Sequence, residues 1–162
     1  MWFDSQAEEA ANFYVSIFSD RPGSDGKNSR IVTVTRYGDA GAKAAGRPKG
    51  SVMTVVFELD GQEFLGLNGG PLFTFSPAIS FIVNCETEQE VDWFWERLSA
   101  GGKDGPMRLA HRQDGVSWQI VPTVLGEMLQ DKDPRKSERV MKAMLQMKKI
   151  EIKGLKQAYE QP

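Results

Sequence analysis

Two stretches of this chain repeat one pattern 81 positions apart. Ala10, Phe13, Tyr14 and Ile17 fall at i, i+3, i+4 and i+7, and Val91, Phe94, Trp95 and Leu98 fall at the same spacing. Such spacing puts each set on one face of an α-helix, and that face must be covered. Both stretches carry a start signal. Ser5 with Glu8, and Thr87 with Glu90, fit the capping box. A strand-like stretch precedes each: the stub Trp2-Phe3 and the run 78–84. A hairpin follows each. Residues 52–59 and 64–67 flank Asp60-Gly61, and residues 109–112 and 116–121 flank Asp114-Gly115, both of them two-residue turn signals.

The pattern predicts duplication of a β-α-β-β-β module. A period of roughly 80 residues is too long for a solenoid unit. The copies are unequal. The first has room for an extra strand at 31–37 and a Gly-, Ala- and Lys-rich loop at 38–50, expected to be mobile. Between Leu98 and Leu109 there is only a short Gly-rich link, so the matching strand there is expected to be short or missing. Beyond Pro122 the character changes to helix. Residues 123–130 form a short helical segment. Asp133-Pro134 opens a longer helix with Pro in its first turn. Val140, Met144 and Met147 lie along one side of it, with Met141 and Leu145 beside them, and Lys148 and Lys149 near its end suit the helix dipole. Ile152, Leu155 and Tyr159 mark a last helix.

Composition narrows the function classes. At 162 residues, 40% hydrophobic and 26% charged, the chain is ordinary globular protein able to bury one core. A net charge of −2 gives no basic field for nucleic acid. No apolar run reaches the ~18 residues of a membrane span, and the N-terminus lacks a signal-peptide pattern. One cysteine, Cys85, excludes an intramolecular disulfide and fits a reducing compartment, so a cytoplasmic location is expected.

Several short motifs in order resemble a known family. They are Trp2-Phe3-Asp4 with Gln6-Ala7-Glu8-Glu9-Ala10, Glu58-Leu59-Asp60-Gly61-Gln62, and Leu67-Asn68-Gly69-Gly70-Pro71. Ile79-Ser80-Phe81, Val83-Asn84-Cys85-Glu86-Thr87 and Gly115-Val116-Ser117-Trp118-Gln119-Ile120-Val121-Pro122 continue the series. Together they resemble the PhnB-like branch of the vicinal-oxygen-chelate superfamily, which includes glyoxalase I and bleomycin-resistance proteins. Its members often carry the label 3-demethylubiquinone-9 3-methyltransferase. The resemblance runs along nearly the whole chain, tail included.

It implies an α+β fold of paired βαβββ modules, about 1–70 and 78–122, whose sheets curve into an open mixed-sheet cup. A helical extension, 123–162, would pack on the same domain, and a homodimer is implied. The methyltransferase label carries little weight, because no Gly-rich loop joins a strand to a helix as an adenosyl cofactor site would normally use. Two positions depart from the family pattern. Most of the first strand is absent before Trp2, and Met107-Arg108-Leu109-Ala110 stands where relatives tend to carry Cys-Gly-Trp-Leu.

The family's metal positions on cup-facing strands correspond to Gly66, Ala78 and Gln119. Gly and Ala donate nothing and an amide is a poor ligand, whereas a transition-metal site wants about three good ones. No metal or cofactor is expected. Alternation then places Phe64 and Asn68 with Gly66, Ser80 and Asn84 with Ala78, and Ser117 with Gln119 on the cup face, leaving Trp118 and Ile120 to the core. Phe64, Asn68, Ser80, Ser117 and Gln119 are thus the candidate ligand-binding residues, unless the polar ones merely satisfy one another. His111, near Arg108 and Arg112, is read as a surface residue before a general base. Cys85 is read as an inert buried thiol before a reactive one. Phe73 and Phe75 fit either a lid or a partner contact, and the methionine stripe a core or dimer face. The expected function is metal-independent binding of an unidentified small molecule. The alternative is a metal-dependent enzyme of glyoxalase, lyase or dioxygenase type, and a weaker third reading is a purely structural dimer. Neither nucleic acid nor membrane is an expected partner.

Overall fold

Asp60 and Gly61 both take positive φ, 50° and 79°, as a tight hairpin turn requires. They join β3 (Val52–Leu59) to β4 (Gln62–Asn68), antiparallel from Thr54 opposite Leu67 to Leu59 opposite Gln62. In this computed structural model residues 1–100 and 115–161 are described in full, and 109–111 by their backbone. β2 (Arg30–Arg36) pairs antiparallel with the far edge of β3. β1 (Trp2–Phe3) lies parallel to β4, Trp2 opposite Leu67 and Phe3 opposite Asn68. The order β1-β4-β3-β2 is that of a β-α-β-β-β module, whose first and last strands are neighbours.

α1 (Ala7–Ser19) connects β1 to β2 and buries Ala7, Ala10, Ala11, Tyr14, Ile17 and Phe18. Its stripe meets Val55, Phe57 and Leu59, each at most 3% exposed. Phe13, expected in the stripe, sits half-buried at its rim. Where a mobile loop was expected, the chain forms α2 (Asp39–Ala45), closed by Gly46 in the left-handed region. Ala42 is its buried residue, and that single anchor is too small to give an apolar stripe legible in the sequence.

The chain divides into two compact units, Met1–Phe75 and Ser76–Pro162. The second contains β5 (Phe81–Cys85), α3 (Glu88–Leu98), β6 (Leu109–His111) and β7 (Ser117–Pro122). β5 runs parallel to β7, and β6 antiparallel to it, in the order β5-β7-β6. The strand begins at Phe81 rather than at Ala78. The expected short or missing strand falls largely at 101–108, outside the described residues. α3 starts with the expected capping box: Thr87 Oγ1 accepts from the Glu90 N–H at 3.1 Å, and the Glu90 carboxylate accepts from the Thr87 N–H at 3.1 Å. The matching box at Ser5 and Glu8 does not form. No side chain of the preceding residue, Gln6, caps α1.

α4 (Thr123–Leu129), α5 (Pro134–Gln146) and α6 (Ile152–Glu160) complete the second unit. The helical tail thus lies in the same compact unit as the second module. The helices share a core of Leu125, Met128, Val140, Ile150 and Leu155, with Met144 and Met147 packed against it. Met141 and Leu145 remain exposed. Two polar links tie the tail to α3: the Lys149 ammonium pairs with Asp92, and the Lys153 N–H donates to the Glu88 carboxylate at 3.1 Å.

Tyr159 closes this bundle by donating its hydroxyl to Asp131. That bond, followed by the Asp133 N–H, lowers the Asp131 carboxyl below its ordinary 3.8. The same bond, followed by loss of hydration and the Asp131 charge, raises the Tyr159 phenol above its ordinary 10.0. A lowered carboxyl stabilises the fold above its unfolded value and stops doing so as pH falls through the folded one. A raised phenol stabilises below its unfolded value, and that contribution disappears as pH rises through the folded one. Tyr159→Phe is expected to remove both limbs, so that the thermal midpoint of the variant falls less than that of the native chain at acid and alkaline extremes. Melting curves across pH test this, and parallel profiles for the two proteins would refute it.

Candidate functional site

Each sheet has one face on its helix and one open face. In the first unit, the polarity of β4 conceals which is which. A Cβ at Gly66 would lie 3.3 Å from the Ala7 Cβ and 3.4 Å from the Phe3 ring. Gly66 therefore faces α1, and alternation carries Phe64 and Asn68 with it. The three residues share a face as expected, but it is the packed face and not the cup. Phe64 stacks on Phe57 at 5.5 Å. Asn68 is 4% exposed, and both ends of its amide are hydrogen-bonded. Its Oδ1 accepts the N–H of Ala7 at 2.8 Å, and its Nδ2 donates to the Val52 carbonyl at 3.1 Å. Asn68 thus does for α1 what Ser5 was expected to do, from a strand 61 positions away.

The open face of the first sheet consists of Thr54, Val56, Leu65 and Leu67, with Thr35 bonded to Thr54 through their hydroxyls at 2.6 Å. Leu65 is 50% exposed. Phe73 meets Trp2 edge-on at 4.9 Å, and Phe75 meets Phe3 at 5.2 Å. These two phenylalanines serve to hold the loop after β4 against β1.

In the second unit the faces fall as the sequence implies. Phe81, Val83 and Cys85 alternate with Ile82 and Asn84, opposite Trp118, Ile120 and Pro122 and opposite Gln119 and Val121 respectively. Trp118 and Ile120 are buried towards α3. Ser80, Ile82, Asn84, Ser117, Gln119 and Val121 share the other face. Gln119 Nε2 donates to Ser80 Oγ at 2.7 Å. Ser117 is 2% exposed, whereas Ile82 is 58% exposed. Cys85 is buried, as expected of an inert thiol. The backbone of His111 lies in β6 opposite Ser117, and its side chain lies outside the described residues, as do Arg108 and Arg112. Among the described residues, no group of three His, Cys, Asp or Glu is placed to hold a metal ion.

One further feature escaped the sequence. A cleft of about 320 Å³ opens at the start of α1 between Ser5, Glu8, Arg47, Ser51, Val52 and Asn68. Arg47, just past α2, reaches it by pairing with Asp4 at 3.0 Å. The segment around Arg47 is rich in Gly, Ala and Lys, and nothing in it signals a cavity wall.

A strand, a covering helix and three further strands, with first and last strands parallel and one sheet face left open, define the α+β architecture of PhnB-like, glyoxalase-type proteins. Residues 1–121 match the family described as 3-demethylubiquinone-9 3-methyltransferase, and the chain belongs to that family. The match ends just before α4. A solved structure described as a putative 3-demethylubiquinone-9 3-methyltransferase, PhnB protein, from Bacillus cereus is 33% identical, with a TM-score of 0.60. That alignment covers 76% of this chain and 95% of the other. A protein from Staphylococcus aureus is 25% identical over 74% of this chain and 89% of its own, with a TM-score of 0.29. No protein of curated function matches. No helix among the described residues is long and apolar enough to cross a membrane.

Proposed function

We propose that this protein binds a small neutral or anionic organic molecule on the open face of its second sheet, without a metal ion. One observation carries the reading: the Ser80 hydroxyl and the half-buried Gln119 amide meet at 2.7 Å on that face, flanked by the exposed Ile82. An amide and a hydroxyl can donate and accept together, and the apolar neighbour offers carbon surface to a ligand, the usual make-up of a small-molecule site. The site offers hydrogen-bonding groups in place of the imidazole, thiolate or carboxylate ligands that a transition metal favours.

The family description names a methyl transfer. The strand-to-helix connections of the two modules, Asp4-Ser5-Gln6 and Glu86-Thr87, contain no glycine. They lack the backbone cradle with which such turns commonly hold an adenosyl cofactor, which supports binding over transfer. Family activity does not follow from fold alone. The proposal includes a homodimer, tested by sedimentation of the purified chain.

Gln119→Ala is expected to weaken binding about tenfold, the scale of one well-made hydrogen bond in a partly buried site. The measurement is a ligand screen by thermal shift, with and without chelator, followed by titration of the hits on both proteins. Hits that survive chelation and weaken in the variant support the reading. Hits abolished by chelator, or stoichiometric metal in untagged protein, would replace it with the metal-dependent enzyme.

A further inference from the structure

The segment 39–49, which carries α2, is held firmly at its base and lightly above it. At the base, the Gly50 N–H donates to the Tyr37 carbonyl at 2.8 Å, and the Tyr37 N–H donates to the Ser51 carbonyl at 2.9 Å. Gly38 and Gly50 stand at this neck, and a Cβ at either would meet nothing within 4 Å. α2 lies over the Tyr37 ring, since a Cβ at Gly41 would be 3.4 Å from its Cδ1. Tyr37 itself is fixed, 6% exposed, with its hydroxyl donated to the Asn68 carbonyl at 2.7 Å.

Above the neck the anchorage is slight. Ala42 is the buried residue of α2, and it brings a single methyl group. Lys49 pairs with Asp39 inside the segment. Among the described residues, the polar bond that ties 39–49 to anything beyond the neck is the Arg47–Asp4 pair at 3.0 Å. The Asp4 side chain is 49% exposed, so dissolved salt can screen that pair. Arg47 and Pro48 also wall the cleft at the start of α1.

We propose that residues 39–49 are a strap that lifts from Tyr37 as one local unit, about its glycine neck, and that the Arg47–Asp4 pair is its salt-sensitive latch. Opening takes the Arg47 wall away from the cleft and uncovers Ser5 and Glu8. A segment with one small buried contact and one screened ion pair is of the kind that opens without the rest of its domain.

The test is thiol alkylation by iodoacetamide, read site by site by mass spectrometry. Ala42→Cys puts a thiol under the strap, and a separate Ala11→Cys, 0% exposed on α1, reports unfolding of the first unit. The thiol at position 42 is expected to react at least about tenfold faster than the one at 11, and at least about tenfold slower than free cysteine. Asp4→Asn should speed position 42 about threefold and leave position 11 unchanged. Sodium chloride at ~1 M should do the same to the chain that keeps Asp4. If Ala42→Cys misfolds, trypsin cleavage after Lys43 in the chain with its native Ala42 gives the second reading, and Asp4→Asn should again accelerate it about threefold. Equal rates at 42 and 11, reaction at 42 as fast as free cysteine, or rates at 42 or Lys43 indifferent to Asp4→Asn would overturn the proposal.

Discussion

Trp118→Ala is expected to destabilise the protein by about 3–5 kcal/mol, the range for deleting a large aromatic from a packed core. The side chain is 2% exposed and lies 5.2 Å from Phe81, on the face of the second sheet that packs on α3. Urea denaturation followed by circular dichroism reads the change. The result also tests the face assignment on which the proposed binding surface depends. Side chains alternate along β7, so Gln119 is on the open face only if Trp118 is on the packed one. A loss below about 1 kcal/mol, the size of an ordinary surface change, would reverse the two.

Asn68→Ala is expected to cost about 2–6 kcal/mol. It strands two backbone groups, the N–H of Ala7 and the carbonyl of Val52, at about 1–3 kcal/mol each when buried. Hydrogen exchange at the Ala7 amide should accelerate along with the loss of stability. Asn68→Asp should fall between the two proteins, since it keeps an acceptor at the positive end of α1 and loses only the donor to Val52. A contact residue for ligand would behave differently, with stability kept and binding lost.

These two residues mark where the sequence was sufficient and where it was not. Trp118 is a large apolar residue in a strand with polar alternation on both sides, and burial follows from that pattern alone. Asn68 has the opposite appearance. Polar and two places from Gly66, it reads as a ligand contact on the cup face, but glycine there admits Ala7 and Phe3, and the asparagine caps the helix that they bring close. The contact spans 61 positions, so no local signal records it. The same limit explains Ser5: it has the right spacing for a cap, but Asn68 of β4 accepts the Ala7 N–H instead. It explains Arg47 too, whose role as a cleft wall depends on its pairing with Asp4 across 43 positions.

The sequence by itself determined the repeated module, the helix stripes, the hairpin turns and the capping box at Thr87. Periodicity and turn chemistry act over a few residues, and a few residues are enough to read them. Only the tertiary structure decided which face of the first sheet is open, and therefore that Phe64 and Asn68 support α1, whereas Ser80 and Gln119 meet on the face of the second sheet turned away from α3. A strand with small or polar residues on both sides has two equivalent patterns, and the choice between them is made by the helix that packs against it.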